Sequence, residues 1–103
     1  MDSIHSEYES DPDMMDLVQE FAAELPERIR MMEELLSRGD WEELQRLAHQ
    51  LKGAGGGYGF PQITEVSARL EQALKESAGE GRVKELCGEL GDTLRAVEVS
   101  RGS

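Results

Sequence analysis

His49 stands in the run Ala48-His49-Gln50-Leu51-Lys52-Gly53-Ala54, with Arg46 three residues before it and Lys52 three after. An imidazole has an ordinary pKa of about 6.5, so at neutral pH most of it is uncharged and one ring nitrogen is free. An exposed ring of this kind can attack phosphorus and hold the phosphoryl group as a phosphoramidate. Lys52 and Arg46 form a small cationic patch that would offset the charge arriving with it. The neighbourhood lacks a metal cage, a phosphate-cradling loop and a paired general base. Such a site can carry a phosphoryl group, but a partner must supply the catalysis of transfer.

Directly after this histidine come Gly53, Gly55, Gly56, Gly57 and Gly59. Glycine inside a helix costs about 1 kcal/mol relative to alanine, so the run weakens its own helix beside the ring. Two readings stand at this point. The glycines leave room for a partner to approach His49, or they unwind into a loop leading to Pro61. His49 has its own bland alternative, since a solvent-facing histidine on an amphipathic helix is usually a plain surface residue.

The elements that position these residues are helices. Asp11-Pro12 reads as a start, aspartate as N-cap and proline at the first helical position. From there Met14, Val18, Phe21, Leu25, Ile29, Met32 and Leu36 form one apolar stripe, whose phase survives Pro26. One bent helix is expected rather than two. Gly39 closes it, Asp40 caps the next, and Glu43 resembles the second half of a capping box. Trp41, Leu44, Leu47, Ala48 and Leu51 are the second stripe, with Trp41 as a packing anchor. A third helix runs from Pro61 to about Ser77, with Ile63, Val66, Leu70, Ala73 and Leu74 inward. After a turn at Ala78-Gly79-Glu80-Gly81, a fourth carries Val83, Leu86, Cys87, Leu90, Leu94 and Val97. No segment alternates as a strand does. The expected fold is an all-α, antiparallel up-down four-helix bundle over residues 11–99, with room for a short extra N-terminal helix. Residues 1–10 are expected to be flexible and 100–103 to fray.

On the helical wheel His49 lies roughly 140° from the centre of the Leu44-Leu47-Leu51 stripe, and so points to solvent. Its wheel neighbours include Gln45, Arg46, Lys52, Gly53 and Gly56, and Tyr58 and Phe60 should cover the bundle end beneath the glycines.

Composition narrows the partners. The 103 residues carry 22 acidic against 11 basic side chains, a net charge of -11. That argues against nucleic acid and anionic membrane, which require basic surfaces. A single cysteine, Cys87, permits neither an intrachain disulfide nor a cysteine-based zinc site, and a reducing, cytoplasmic setting is expected. The acidic, polar N-terminus is unlike a secretory signal, and no apolar run approaches the roughly 20 residues of a spanning helix. His5 reads as inert, Cys87 as a core thiol, and Asp11, Asp13 and Asp16 as helix N-terminal charge rather than a calcium loop. No metal site is expected.

Ala48-His49-Gln50-Leu51-Lys52-Gly53, followed by Ala54-Gly55-Gly56-Gly57-Tyr58-Gly59-Phe60, resembles the signature of histidine-containing phosphotransfer (HPt) domains. Phe21, Glu24-Leu25-Pro26-Glu27-Arg28, Gly39-Asp40-Trp41 and Leu70-Glu71 fall where such domains carry similar residues. The likeness covers residues 12–77 well and the last helix only generically. It implies a phosphoryl carrier in a two-component His–Asp phosphorelay, without turnover of its own. His49 would exchange the group with aspartates of receiver domains, whose magnesium ion and lysine supply the catalysis, and a sensor histidine kinase would stand upstream. Lys52 would assist the phosphate, while Gln45, Arg46, Gly53 and Gly56 would surround the docking site. The chain is also similar to the phosphoacceptor domain of chemotaxis-type kinases, in which a glutamate on the next helix hydrogen-bonds the other ring nitrogen. Glu71 matches that glutamate, although Ala68 replaces the second histidine which that family places three residues earlier. A solvated surface charge is the alternative for Glu71. The chain as a whole has two: a phosphoacceptor domain of a larger chemotaxis-type or hybrid kinase, and a helical adaptor that binds without being phosphorylated.

Overall fold

The Asp11 carboxylate accepts the Asp13 N–H at 3.0 Å and Pro12 occupies the first turn, so α1 begins as the sequence predicts and runs Pro12–Arg38. In this computed structural model, which describes residues 2–99, the helix is continuous through Pro26. Val18, Phe21, Leu25, Ile29 and Met32 of its stripe are buried. Gly39 ends α1 at φ 66°, a left-handed conformation open to glycine, and its N–H returns to the carbonyls of Leu35 and Leu36. The Asp40 side chain then accepts from the Glu43 N–H at 3.3 Å to start α2, Trp41–Gly57. The reciprocal half of the expected capping box is absent. The Asp40 N–H is already bound to the Leu35 carbonyl at 3.0 Å, and Glu43 pairs instead with Arg46.

Helix α3 spans Pro61–Lys75 and α4 spans Glu80–Arg95. Each packs against its neighbours in sequence and α4 closes against α1, giving the expected four-helix up-down bundle. At about 1.5 Å per residue the 27 residues of α1 span about 40 Å, which accounts for most of the 45 Å long dimension. The closest seam lies between α2 and α3. Leu44, Phe60, Ile63, Leu70, Leu86 and Leu90 are sealed from solvent, each contributing about 1.5–3 kcal/mol relative to exposure. Cys87 belongs to the same core, and burial pushes its thiol up to about 11.

Two expectations about packing change, one helix boundary moves, and one open reading is decided. Trp41 stays 38% exposed, its ring edge over Gly39, and lines a shallow cleft with Ala73, Leu74 and Val83 instead of anchoring the core. It is the first residue of α2, at the rim of the bundle. Leu74 is half-buried beside it, and α4 begins at Glu80, inside the expected turn. The glycine run does not unwind: α2 remains helical to Gly57, because α3 packs along it and the Thr64 hydroxyl donates to the Lys52 carbonyl at 2.8 Å.

The N-terminal segment also differs from its expected flexibility. Residues 7–10 form turns rather than an extra helix, and residues 2–6 lie against the bundle. Ile4 bridges Val97, with the Ile4 N–H on the Ala96 carbonyl at 2.9 Å. Val97 therefore packs beyond the end of α4, not on it. Ser6 is 7% exposed and donates to the Tyr58 carbonyl at 2.6 Å, while the Glu7 N–H reaches the Gly59 carbonyl at 2.8 Å. Gly59 has φ 82°, and a Cβ there would lie 2.7 Å from the Ser6 hydroxyl, so glycine is required twice over. Backbone pairing, which apolar periodicity does not register, holds this strap. Ser6→Ala should cost about 1 kcal/mol in urea unfolding, with the Glu7 amide exchanging faster in hydrogen–deuterium exchange. Residues 100–103, expected to fray, and Met1 lie outside the described residues.

Candidate functional site

Helix α2 buries Leu44, Leu47, Ala48, Leu51 and Gly55, and that face turns His49 outward with its side chain 66% exposed. Across the seam, α3 buries Leu70 in the core, and the next residue, Glu71, lies along α2 rather than in solvent. Its side chain is only 6% exposed. A carboxylate so placed is costly unless cations and donors surround it. Glu71 has them. The Lys52 ammonium donates to Oε1 at 2.6 Å, His49 Nδ1 lies 2.8 Å from Oε2, and Lys75 Nζ stands 3.6 Å from Oε2.

The Lys52 ammonium holds the Glu71 carboxyl below the usual carboxylate range; the His49 bond and the Lys75 charge act in the same direction, and burial opposes them. Glu71 is therefore ionised at neutral pH and can only accept hydrogen bonds. The partner nitrogen, Nδ1, must then carry the proton. In the neutral ring this leaves the lone pair on Nε2, which has no protein hydrogen-bond partner among the described residues. A ring fixed in one tautomer, with its basic nitrogen in the open, is set up for nucleophilic attack.

The structure brings His49, Lys52 and Glu71 into one hydrogen-bonded group. Lys52 is not a free cation awaiting phosphate: it is bound to Glu71. Arg46 is turned to Glu43 at 3.1 Å, so the expected cationic patch is largely neutralised. Gln45 is half-buried, while Gly53 and Gly56 are exposed on the histidine's side of α2. A Cβ at Gly53 would meet nothing within 4 Å, which leaves clear space one turn from the ring.

Three contributors escaped the sequence reading. Lys75 carried a signal, since it lies four residues after Glu71 and so shares its face of α3. Gly55 and Thr64 carried none in one dimension. A Cβ at Gly55 would stand 2.8 Å from the Thr64 backbone nitrogen, so only glycine lets α3 come this close.

A family model for the Hpt domain matches residues 16–100. No curated protein and no solved structure matches the chain at a significant level. The match takes in all of α2 and α3 and hence every group around His49, and on that span the chain belongs to the Hpt domain family.

Proposed function

We propose that His49 accepts a phosphoryl group on Nε2 from the aspartyl phosphate of a receiver domain and passes it on to another. Hpt domains as a family are phosphotransfer carriers in phosphorelays rather than enzymes with turnover. The Nε2 lone pair attacks phosphorus, the N–P bond forms, and the P–O bond to the aspartyl carboxylate breaks with that carboxylate as leaving group. The Nδ1 proton stays on the ring, where the Glu71 carboxylate faces the positive charge that the ring then carries. The reverse step returns the group to an aspartate. The receiver's magnesium ion and lysine would supply the electrostatic catalysis, and a sensor histidine kinase would feed the relay from upstream. Docking would use the open side of α2 at Gly53 and Gly56, with Gln45 and Arg46 at its edge, in a small transient interface. No helix among the described residues is long and apolar enough to cross a membrane, and the buried, unpaired Cys87 suits a reducing cytoplasm.

The observation that carries this reading is the 2.8 Å bond from His49 Nδ1 to a buried, ionised Glu71. The test is transfer from phosphorylated receiver domains of the source genome, in magnesium, to wild type and to His49→Gln. Phosphorus NMR and intact mass should show an acid-labile phosphoramidate at Nε2 on the wild type alone. Folded wild type that binds receivers but takes no phosphoryl group from any of them would make the protein an adaptor.

A further inference from the structure

Glu71 is flanked by two ammonium groups, yet only one of them is hydrogen-bonded to it. Lys52 holds Oε1 at 2.6 Å from α2, whereas Lys75 waits 3.6 Å from Oε2, the oxygen that also accepts from His49. Lys52 is also the cation best placed to meet a phosphoryl group, being three residues from His49 on the same helix with its side chain 35% exposed. Those two tasks lie on opposite sides of the imidazole. An ammonium bonded to Glu71 belongs to the Nδ1 side, and the phosphoryl oxygens would sit beyond Nε2. When Lys52 moves to the phosphoryl group, the buried carboxylate loses its main counter-ion. The ring cation is then its one hydrogen-bonded partner. A buried carboxylate so weakly countered is more readily protonated or turned outward, either of which would release the Nδ1 proton that orients the ring.

We propose that Lys75 is the reserve counter-ion of this site: it closes onto Glu71 as Lys52 departs, so that the His49–Glu71 bond survives phosphorylation. The inference rests on the carrier reading of His49. The geometry asks little of Lys75. It lies on the same face of α3 four residues on, its side chain is 51% exposed and free to reorient, and closing from 3.6 Å to a charged hydrogen bond of about 2.8 Å is a movement of about 0.8 Å. Glu71 thereby keeps one ammonium in either state. Lys75 touches neither the reacting nitrogen nor phosphorus, and so is a positioning residue.

The tautomer of His49, read from ring nitrogen NMR shifts at neutral pH, tests this without any transfer reaction. Lys52→Met mimics the moment when Lys52 has left, and should keep the Nδ1–H form. Adding Lys75→Met should then lower the ratio of Nδ1–H to Nε2–H about two- to fivefold, the worth of a half-exposed ion pair. Lys75→Arg in place of Lys75→Met should restore it. Lys75→Met alone should leave the unphosphorylated protein in the Nδ1–H form, which Lys52 still holds, and weaken the Nδ1–H signal about two- to fivefold relative to wild type once His49 is phosphorylated. If Lys52→Met by itself abolishes the Nδ1–H form, or the double variant matches Lys52→Met, Lys75 holds nothing in reserve. A wild type that accepts no phosphoryl group would defeat the carrier reading instead, and the NMR series separates that outcome from this one.

Discussion

Glu71→Met should slow phosphoryl transfer to His49 about 10- to 100-fold, the loss typical when the group that orients a reactive or ligating histidine is removed. The bundle should remain folded. Glu71 is a buried charge whose desolvation offsets much of its attraction to Lys52 and Lys75, and an unbranched apolar side chain fits a seam already lined by Leu70 and Ala73. Rapid-quench transfer kinetics, paired with urea unfolding, would check both halves. Glu71→Gln is the informative companion. Its amide oxygen can still accept from Nδ1, so it should retain the tautomer and much of the rate while giving up the negative charge. A variant that lost stability but kept its rate would place Glu71 in the scaffold and not at the site.

The same carboxyl imposes a pH dependence. Its pKa in the fold is lowered from an ordinary 4.5, with the Lys52 hydrogen bond as the first cause. In that direction the unfolded chain takes up the proton first as the solution is acidified. The stabilising contribution is complete above about pH 4.5 and disappears as pH falls through the lower folded value. Wild type should therefore lose stability below that point more steeply than Glu71→Met, and the difference between their unfolding curves isolates this group from the other 21 acidic residues among the 22.

Alanine at two glycines of the same helix should have opposite effects. At Gly55 a Cβ would stand 2.8 Å from the Thr64 backbone nitrogen and hydroxyl oxygen and 3.0 Å from the Ile63 Cβ. Backbone on the opposing helix cannot yield as a side-chain tip can, so the helices must separate. Overpacking of this kind costs about 1–3 kcal/mol, or about 4–8 °C of melting temperature for each kcal/mol in a domain of this size. Because Glu71 reaches His49 across that same seam, transfer should fall with stability. At Gly53 a Cβ meets nothing, and alanine should stabilise the helix by about 0.5–1 kcal/mol. If receivers dock over Gly53, that more stable variant should bind them more weakly. Thermal melts with receiver titrations separate the two effects.

The four helices were legible because each rule that defines them is local. Asp11-Pro12, Gly39 and Asp40 act on neighbouring backbone, and the stripe from Val18 to Met32 needs only the helical period. His49 was legible for the same reason: once Leu44, Leu47 and Leu51 face inward, its exposure follows. Local rules failed where two segments compete for one group. The capping box at Asp40 is half-made because α1 already holds its N–H, and the strap from Ile4 to Tyr8 is set by pairing with residues more than 50 positions away. The glycines after His49 permitted both an open helix and a loop, because propensity measures a helix alone and says nothing of the α3 surface that rewards close approach at Gly55.

The sequence by itself determined the helical bundle, the exposed imidazole, the clear strip at Gly53 and the acidic balance, all of which follow from side-chain type and spacing along one chain. Tertiary structure alone decided that Glu71 is buried, that Lys52 is bound to it with Lys75 3.6 Å away, and which nitrogen of His49 is left free. A carboxylate on α3 reads as a solvated charge until another helix covers it. Only packing removes it from water and makes its hydrogen bonds strong enough to orient a ring on the neighbouring helix.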